Sequence, residues 1–160
     1  MRKELDEALV AKYPLIFRDR HADPSKTCMY WGFDCGDGWY NIIDALCANI
    51  QNHIDNCLDN IERTKKWNAN VNNPDYEWTA IVERKERPVP EPVEQVVAIQ
   101  VKEKFGGLRF YYMGGDEFIR GLEHMAESMS YRTCEVCGAP GTGTKGGWIR
   151  TLCEEHKNGT

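Results

Sequence analysis

The chain contains no run of 18 apolar residues, so no segment reads as a membrane-spanning helix. Its opening stretch, Met1-Arg2-Lys3-Glu4-Leu5-Asp6-Glu7, lacks the apolar stretch of a secretory leader, which predicts a cytoplasmic protein. An excess of basic charge is missing too. Lys and Arg number 20 against 25 Asp and Glu, for a net charge of −5. Residues 96–160 balance eight basic against eight acidic groups, so the first 95 carry the whole deficit. Non-specific binding to a phosphate backbone needs clustered cations and is disfavoured. The motifs of familiar chemistry are absent as well. No H-E-x-x-H, nucleophile elbow, dinucleotide fingerprint or Walker lysine occurs. The four histidines form no recognisable acid-base constellation, and catalysis is therefore not the leading reading.

What is present lies near the C-terminus. Cys134 and Cys137 form C-x2-C, and after 15 residues Cys153 and His156 form C-x2-H. Tetrahedral zinc takes four thiolate or imidazole ligands at this kind of spacing. Gly138 directly after the second cysteine suits the positive φ of a tight knuckle. Gly147–Leu152 reads as a short strand, with Thr151 as a cap for a helical turn that places Cys153 and His156 on one face. A knuckle, a hairpin and a helical turn make a treble-clef-like zinc ribbon. Four protein ligands close the coordination shell, so the zinc (Zn2+) is expected to hold shape. A redox C-x-x-C pair is the competing reading, and it leaves Cys153 and His156 without a role. The other cysteines, Cys28, Cys35, Cys47 and Cys57, read as free thiols of a reducing compartment.

Upstream, the spacing of Leu5, Leu9 and Tyr13 predicts a helix over 3–13 ended by Pro14. A loop with three glycines and four aromatics follows, Tyr30 to Trp39. Ile43, Leu46, Ile50, Ile54 and Ile61 predict a long helix over 39–62, with Asp37 or Gly38 near its N-cap. The stretch from Lys65 to Trp78 reads as a polar connection, and Thr79–Lys85 as a strand. Val96–Phe105 is rich in β-branched residues, and Gly106-Gly107 then separates it from Leu108–Tyr112. That predicts a β-hairpin. A helix is the alternative, from Val93, Val97, Val101 and Phe105 at i+4 spacing. Pairing Phe105 with Leu108 sets Lys104 opposite Arg109 and Lys102 opposite Tyr111, with Ile99, Val101, Phe105, Leu108, Phe110 and Tyr112 toward the core. Asp116 then caps a helix to about Ser130, with Phe118, Leu122, Met125 and Met129 along one side. The expected fold is α+β: helices packed on a small antiparallel sheet, residues 1–130, with the zinc ribbon of 131–160 packed on it.

Three motifs together, Cys35-Gly36-Asp37-Gly38-Trp39, Lys102–Tyr111 and the Cys134/Cys137/Cys153/His156 ribbon, resemble small zinc-ribbon proteins of tailed bacteriophages and prophages. The resemblance covers about residues 30–156 and brings no catalytic residue, because that family has no assigned activity. It implies a phage-encoded protein acting in the host cytoplasm, with blocking host enzymes or capturing defence signals as the class-level expectation. The candidate ligand residues are Lys102, Lys104, Arg109 and Tyr111 with the flat rings of Trp31 and Trp39, a set suited to a small anionic, nucleotide-like ligand. A solvated sheet face and a packed loop are the plain alternatives. A protein-binding inhibitor or adaptor that engages a host or phage protein is the second functional reading. A hydrolase or nuclease using Asp34 and Asp37 is the third.

Overall fold

A computed structural model describes residues 1–71, 73 and 85–158. Four helices are present there: α1 (Lys3–Lys12), α2 (Tyr40–Asn70), α3 (Glu117–Ser130) and α4 (Glu154–Asn158). Five strands accompany them: β1 (Phe33–Asp34), β2 (Val97–Lys104), β3 (Gly107–Met113), β4 (Thr142–Gly143) and β5 (Thr151–Leu152). The fold is α+β, as expected. The long α2 packs with a small sheet of order β1-β2-β3, and the C-terminal hairpin β4-β5 bears the cysteine cluster.

The β2-β3 hairpin forms, which removes the helix alternative for Val93–Phe105. Its register differs from the expected one: Lys104 pairs with Gly107, Lys102 with Arg109 and Val101 with Phe110. The turn residues are therefore Phe105 (φ +54°) and Gly106 (φ +77°). Positive φ at both centres is the type I′ geometry that matches strand twist. Gly107 is needed elsewhere, because a Cβ there would meet the Tyr131 ring at 2.4 Å. The shift moves the pairing by two residues, so it preserves which side chains share a face. Lys102, Lys104, Arg109 and Tyr111 still lie together. Phe105, expected in the core, is instead 66% exposed at the turn.

The sheet is mixed, because β1 joins β2 in parallel, with Phe33 opposite Val101 and Asp34 opposite Lys102. This places the glycine-aromatic loop against the sheet. Below it, Phe17 meets Phe33 and Phe110 edge-on, with ring centroids 5.0 and 6.3 Å apart. The Ala98 N–H donates to the Ile16 carbonyl at 2.8 Å and ties the segment after α1 to β2. Ile43, Leu46, Cys47, Ile50 and Ile54 of α2 are buried in the same core. Each such side chain removed from water contributes about 1.5–3 kcal/mol.

Helix α2 runs eight residues past the expected end at 62, through most of the predicted polar connection. Its last turns bury little but are pinned from the side. Asn68 accepts from the Arg87 N–H and donates to the Arg87 carbonyl, both at 2.8 Å, and the Arg87 guanidinium lies 4.3 Å from the centre of the Trp67 ring. At the other end Asp37 is not the cap. It accepts from the Arg2 N–H at 2.8 Å and pairs with its guanidinium at 2.9 Å. The strand expected over Thr79–Lys85 falls outside the described residues apart from Lys85, which lies in no strand.

Asp116 does cap α3, accepting from the Ile119 N–H at 3.1 Å. Its second oxygen lies 2.8 Å from His53 Nε2 on α2. Desolvation pushes the Asp116 carboxyl up, but these bonds outweigh it and hold its pKa below the ordinary value. We expect Asp116→Ala to cost about 1–2 kcal/mol in urea unfolding at pH 7. A depressed carboxylate stabilises above its unfolded pKa and loses that contribution as the pH falls through the folded one. The difference between Asp116→Ala and the parent should accordingly shrink below about pH 4. Equal midpoints at pH 7 would show that the cap contributes nothing.

Of the four residues expected along one side of α3, Leu122 packs against the core. Ile119, Ala126 and Ser130 pack inward, while Phe118, Met125 and Met129 are exposed. Small residues let α3 approach closely, and the Ser130 hydroxyl accepts from the Leu108 N–H at 2.8 Å. A serine at the contact is invisible to a search for apolar periodicity.

Candidate metal centre

The knuckle is built from backbone bonds. The Cys134 N–H donates to the Ala139 carbonyl at 2.7 Å, and the Gly138 N–H to the Cys134 carbonyl at 2.9 Å. Gly138 adopts φ +78°, as its place after the second cysteine predicts. Pairing of Thr142 with Leu152 and Gly143 with Thr151 returns the chain to the knuckle. Cys153 comes next, and the first turns of α4 deliver His156. Thr151 is not the helix cap. It belongs to β5, and its hydroxyl donates to the Gly106 carbonyl at 2.6 Å.

The four ligand atoms lie within 4.8 Å of one another. Cys137 and Cys153 sulfurs are 3.8 Å apart, and the His156 Nδ1 lies 3.6 Å from the Cys134 sulfur. Zn–S of about 2.3 Å and Zn–N of about 2.0–2.1 Å around a tetrahedron give edges of about 3.8 and 3.6 Å. A third edge, Cys153 to His156 at 3.1 Å, is shorter and would open slightly around a metal. Three sulfurs and one imidazole fit zinc in number, chemistry and spacing. Among the described residues this is the only such cluster of His, Cys, Asp and Glu.

The electrostatics suit a cation. Burial pushes the Cys134 thiol up, but the N–H groups of Cys153, Cys137 and Val136 outweigh it and bring it down to about 6. The Cys153 thiol is lowered by the N–H and ring of His156, and that sulfur in turn raises the imidazole. At Cys137 the Ala139 N–H pulls downward, yet desolvation and the neighbouring sulfurs leave it above its ordinary value. Thiolate character is thus concentrated on Cys134 and Cys153 before a metal adds its own charge.

Glu135, between two of the ligands, fastens the module to the rest of the chain. Its carbonyl accepts from the Gly38 N–H at 2.8 Å and its carboxylate from the Gly36 N–H at 3.0 Å. The same carboxylate pairs with Arg150 at 3.3 Å. A Cβ on Gly38 would lie 2.1 Å from the Cys134 carbonyl oxygen, so the loop can approach the knuckle only with glycine there. Trp39 completes the junction, its Nε1 donating to the Thr133 carbonyl at 2.9 Å.

These contacts decide where the sequence-predicted ligand residues lie. Lys102 and Lys104 line a cavity of about 770 Å³ between the sheet and the zinc module, with Asp34, Glu103, Glu135, Trp148 and Arg150. Asp34 and Cys35 bring the glycine-aromatic loop to that cavity, so the loop and the basic strand do meet. Arg109 and Tyr111 are not among its lining residues. Arg109 is paired with Glu127 at 2.6 Å and bonded to the Tyr131 hydroxyl at 2.9 Å. The Lys102 ammonium lies 5.8 Å from the centre of the Tyr111 ring. Trp31, 75% exposed, lines a separate cavity with Asp6, Arg20 and His21. Trp39 has no exposure: it belongs to the core, and its Nε1 is taken up by the Thr133 carbonyl.

Trp148 and Arg150, which the sequence reading does not single out, also line the cavity of Lys102 and Lys104. Trp148 is 78% exposed at the tip of the zinc hairpin, facing the same cavity as the lysines. Its signal was available as an aromatic after Gly146-Gly147, flanked by Lys145 and Arg150.

No family model, curated protein or solved structure matches the chain. The molecule is thus defined by its own geometry: an α+β fold carrying a Cys3His cluster that can hold zinc. Among the described residues no helix is long and apolar enough to cross a membrane.

Proposed function

We propose that the chain is a zinc-stabilised binding protein that captures a small anionic, nucleotide-like ligand in the cavity between β2 and the zinc module. One observation carries the reading. Lys102 and Lys104 line that cavity, and among the described residues neither has a carboxylate within ion-pair distance; their ammonium groups lie near the rings of Tyr111 and Phe105. Two ammonium groups without an acidic partner, facing a roomy concavity with an exposed tryptophan, suit an anion with a flat ring. The resemblance to phage proteins supplies the setting: a phage-encoded protein in the host cytoplasm that counters defence by withdrawing a nucleotide signal. Zinc builds one wall of the cavity, because Glu135, Trp148 and Arg150 all belong to its module.

Calorimetric titration of the zinc-loaded protein with inorganic phosphate tests the anion site. We expect binding that weakens about tenfold or more when Lys102→Gln and Lys104→Gln are combined, from lost charge-assisted bonds. No heat with the parent protein, or equal affinity in the double variant, would end this reading.

A second reading, an inhibitor or adaptor that docks on a host or phage protein, is favoured by the exposed Phe118, Met125 and Met129 on α3. A partner retained by the parent and lost in Met125→Glu with Met129→Glu would support it. For hydrolysis by Asp34 and Asp37 the geometry offers less, since Asp37 is engaged by Arg2.

A further inference from the structure

The cavity does not stop at Lys104. Glu103, Lys104 and Trp148 also line a second groove of about 420 Å³, completed by Phe105, Gly147 and Ile149. The character changes across that boundary. The first cavity is charged, whereas the second is walled mainly by a phenylalanine, a tryptophan and an isoleucine, all exposed. Phe105 is held at φ +54°, a conformation that bulky residues avoid and that glycine adopts freely. The fold thus presents an aromatic ring to solvent at a strained position, next to a second ring on the zinc hairpin. Strain of this kind concentrates at ligand sites.

The charges set a limit on the ligand. Lys102, Lys104 and Arg150 face Asp34, Glu103 and Glu135 in the first cavity. Arg150 and Glu135 neutralise each other at 3.3 Å, and one Glu103 oxygen accepts from the Gly106 N–H. Of the side-chain charges, two ammonium groups therefore stand against two carboxylates; the Met1 nitrogen, also on the cavity wall, donates to the Phe33 and Cys35 carbonyls. A triphosphate would set surplus charge against Asp34 and Glu103. A singly or doubly charged phosphodiester would match the lysines and leave the carboxylates to accept from sugar hydroxyls or base amino groups.

Resting on the anion-binding reading above, we infer that the ligand is a nucleotide of low charge, cyclic or diester-linked, with its phosphate on Lys102 and Lys104 and its base between Phe105 and Trp148. The test uses the zinc-loaded full chain with four probes: inorganic phosphate, 3′,5′-cyclic AMP, ADP-ribose and ATP. Calorimetry gives the affinities, and tryptophan fluorescence reports on Trp148. At least one of cyclic AMP and ADP-ribose should bind tenfold or more tighter than phosphate, and ATP more weakly than that nucleotide. Trp148→Ala and Phe105→Gly should each weaken nucleotide binding about tenfold, the scale of one base-stacking contact, and Phe105→Gly, which lies outside the first cavity, should leave phosphate affinity unchanged. Neither change threatens the fold: Trp148 is exposed and glycine suits the turn at 105. Phosphate binding as tightly as every nucleotide would overturn the base groove and leave the anion site standing. ATP binding tightest would overturn the charge limit. No binding of any probe would fail this inference together with the reading beneath it.

Discussion

Stripping the metal with a strong chelator should lower the melting temperature by about 10 °C or more and open residues 133–156 to hydrogen exchange. A metal bound by the folded ligands alone adds its binding energy to folding, with apparent values of about 10–16 kcal/mol in zinc-finger peptides. At this chain length each kcal/mol moves the melting temperature by roughly 2–4 °C. The loss should not stay local. Glu135 sits between Cys134 and Cys137 and holds the N–H groups of Gly36 and Gly38, so those amides should exchange faster as well. Acid acts in the same direction. Cys134 has its folded pKa lowered to about 6, so its thiolate stabilises fully above the ordinary value near 9 and is lost as the pH falls to about 6. Protons then also compete with zinc for the ligands. An unchanged melting temperature and exchange pattern after metal removal would show that the cluster does not support the fold.

Trp39→Ala should be the most damaging single substitution outside the metal ligands, at about 3–5 kcal/mol in urea unfolding. Trp39 is fully buried at the start of α2, and its removal leaves a large void that backbone cannot fill. It also leaves the Thr133 carbonyl without its donor, one residue before the first zinc ligand. Trp39→Phe separates the two effects. It keeps much of the ring volume and should cost about 1–3 kcal/mol, the scale of a buried acceptor left unpaired. Both variants should bind zinc less tightly than the parent in chelator competition. Trp39→Phe should still bind phosphate normally, since the indole does not line the cavity of Lys102 and Lys104. An unfolding midpoint unaffected by Trp39→Ala would remove this residue from the core.

The cluster was readable from spacing because metal geometry leaves little choice: two short pairs of ligands at the right separation define a site. The long helix and the hairpin were readable because burial imposes a period on apolar residues. The failures have different physical causes. The hairpin register differs because two adjacent glycines look alike in sequence, whereas Gly106 takes the positive φ of the turn and Gly107 lies against the Tyr131 ring. The contact of α3 depends on Ala126 and Ser130, whose value lies in being small and in one hydrogen bond, neither of which an apolar period shows. Helix α2 runs past the expected end because its last turns are held by Asn68 and Arg87, a pairing 19 residues apart that no local pattern encodes. Of the candidate ligand residues, Lys102 and Lys104 share a cavity with Trp148, whereas Trp31 lines a separate one and Trp39 is buried. Trp148 is distant in the chain from the lysines and near them in space, which no local pattern shows.

The bonds from Gly36 and Trp39 to Glu135 and Thr133 join positions 99 and 94 residues apart. Such long closures are entropically late events. During synthesis the indole at the N-cap of α2 therefore waits for its final partner until Thr133 and the knuckle after it have been made. Maturation of the whole molecule should accordingly be paced by zinc supply after translation, and a cell short of zinc would accumulate a chain with a formed helix and an unfinished core.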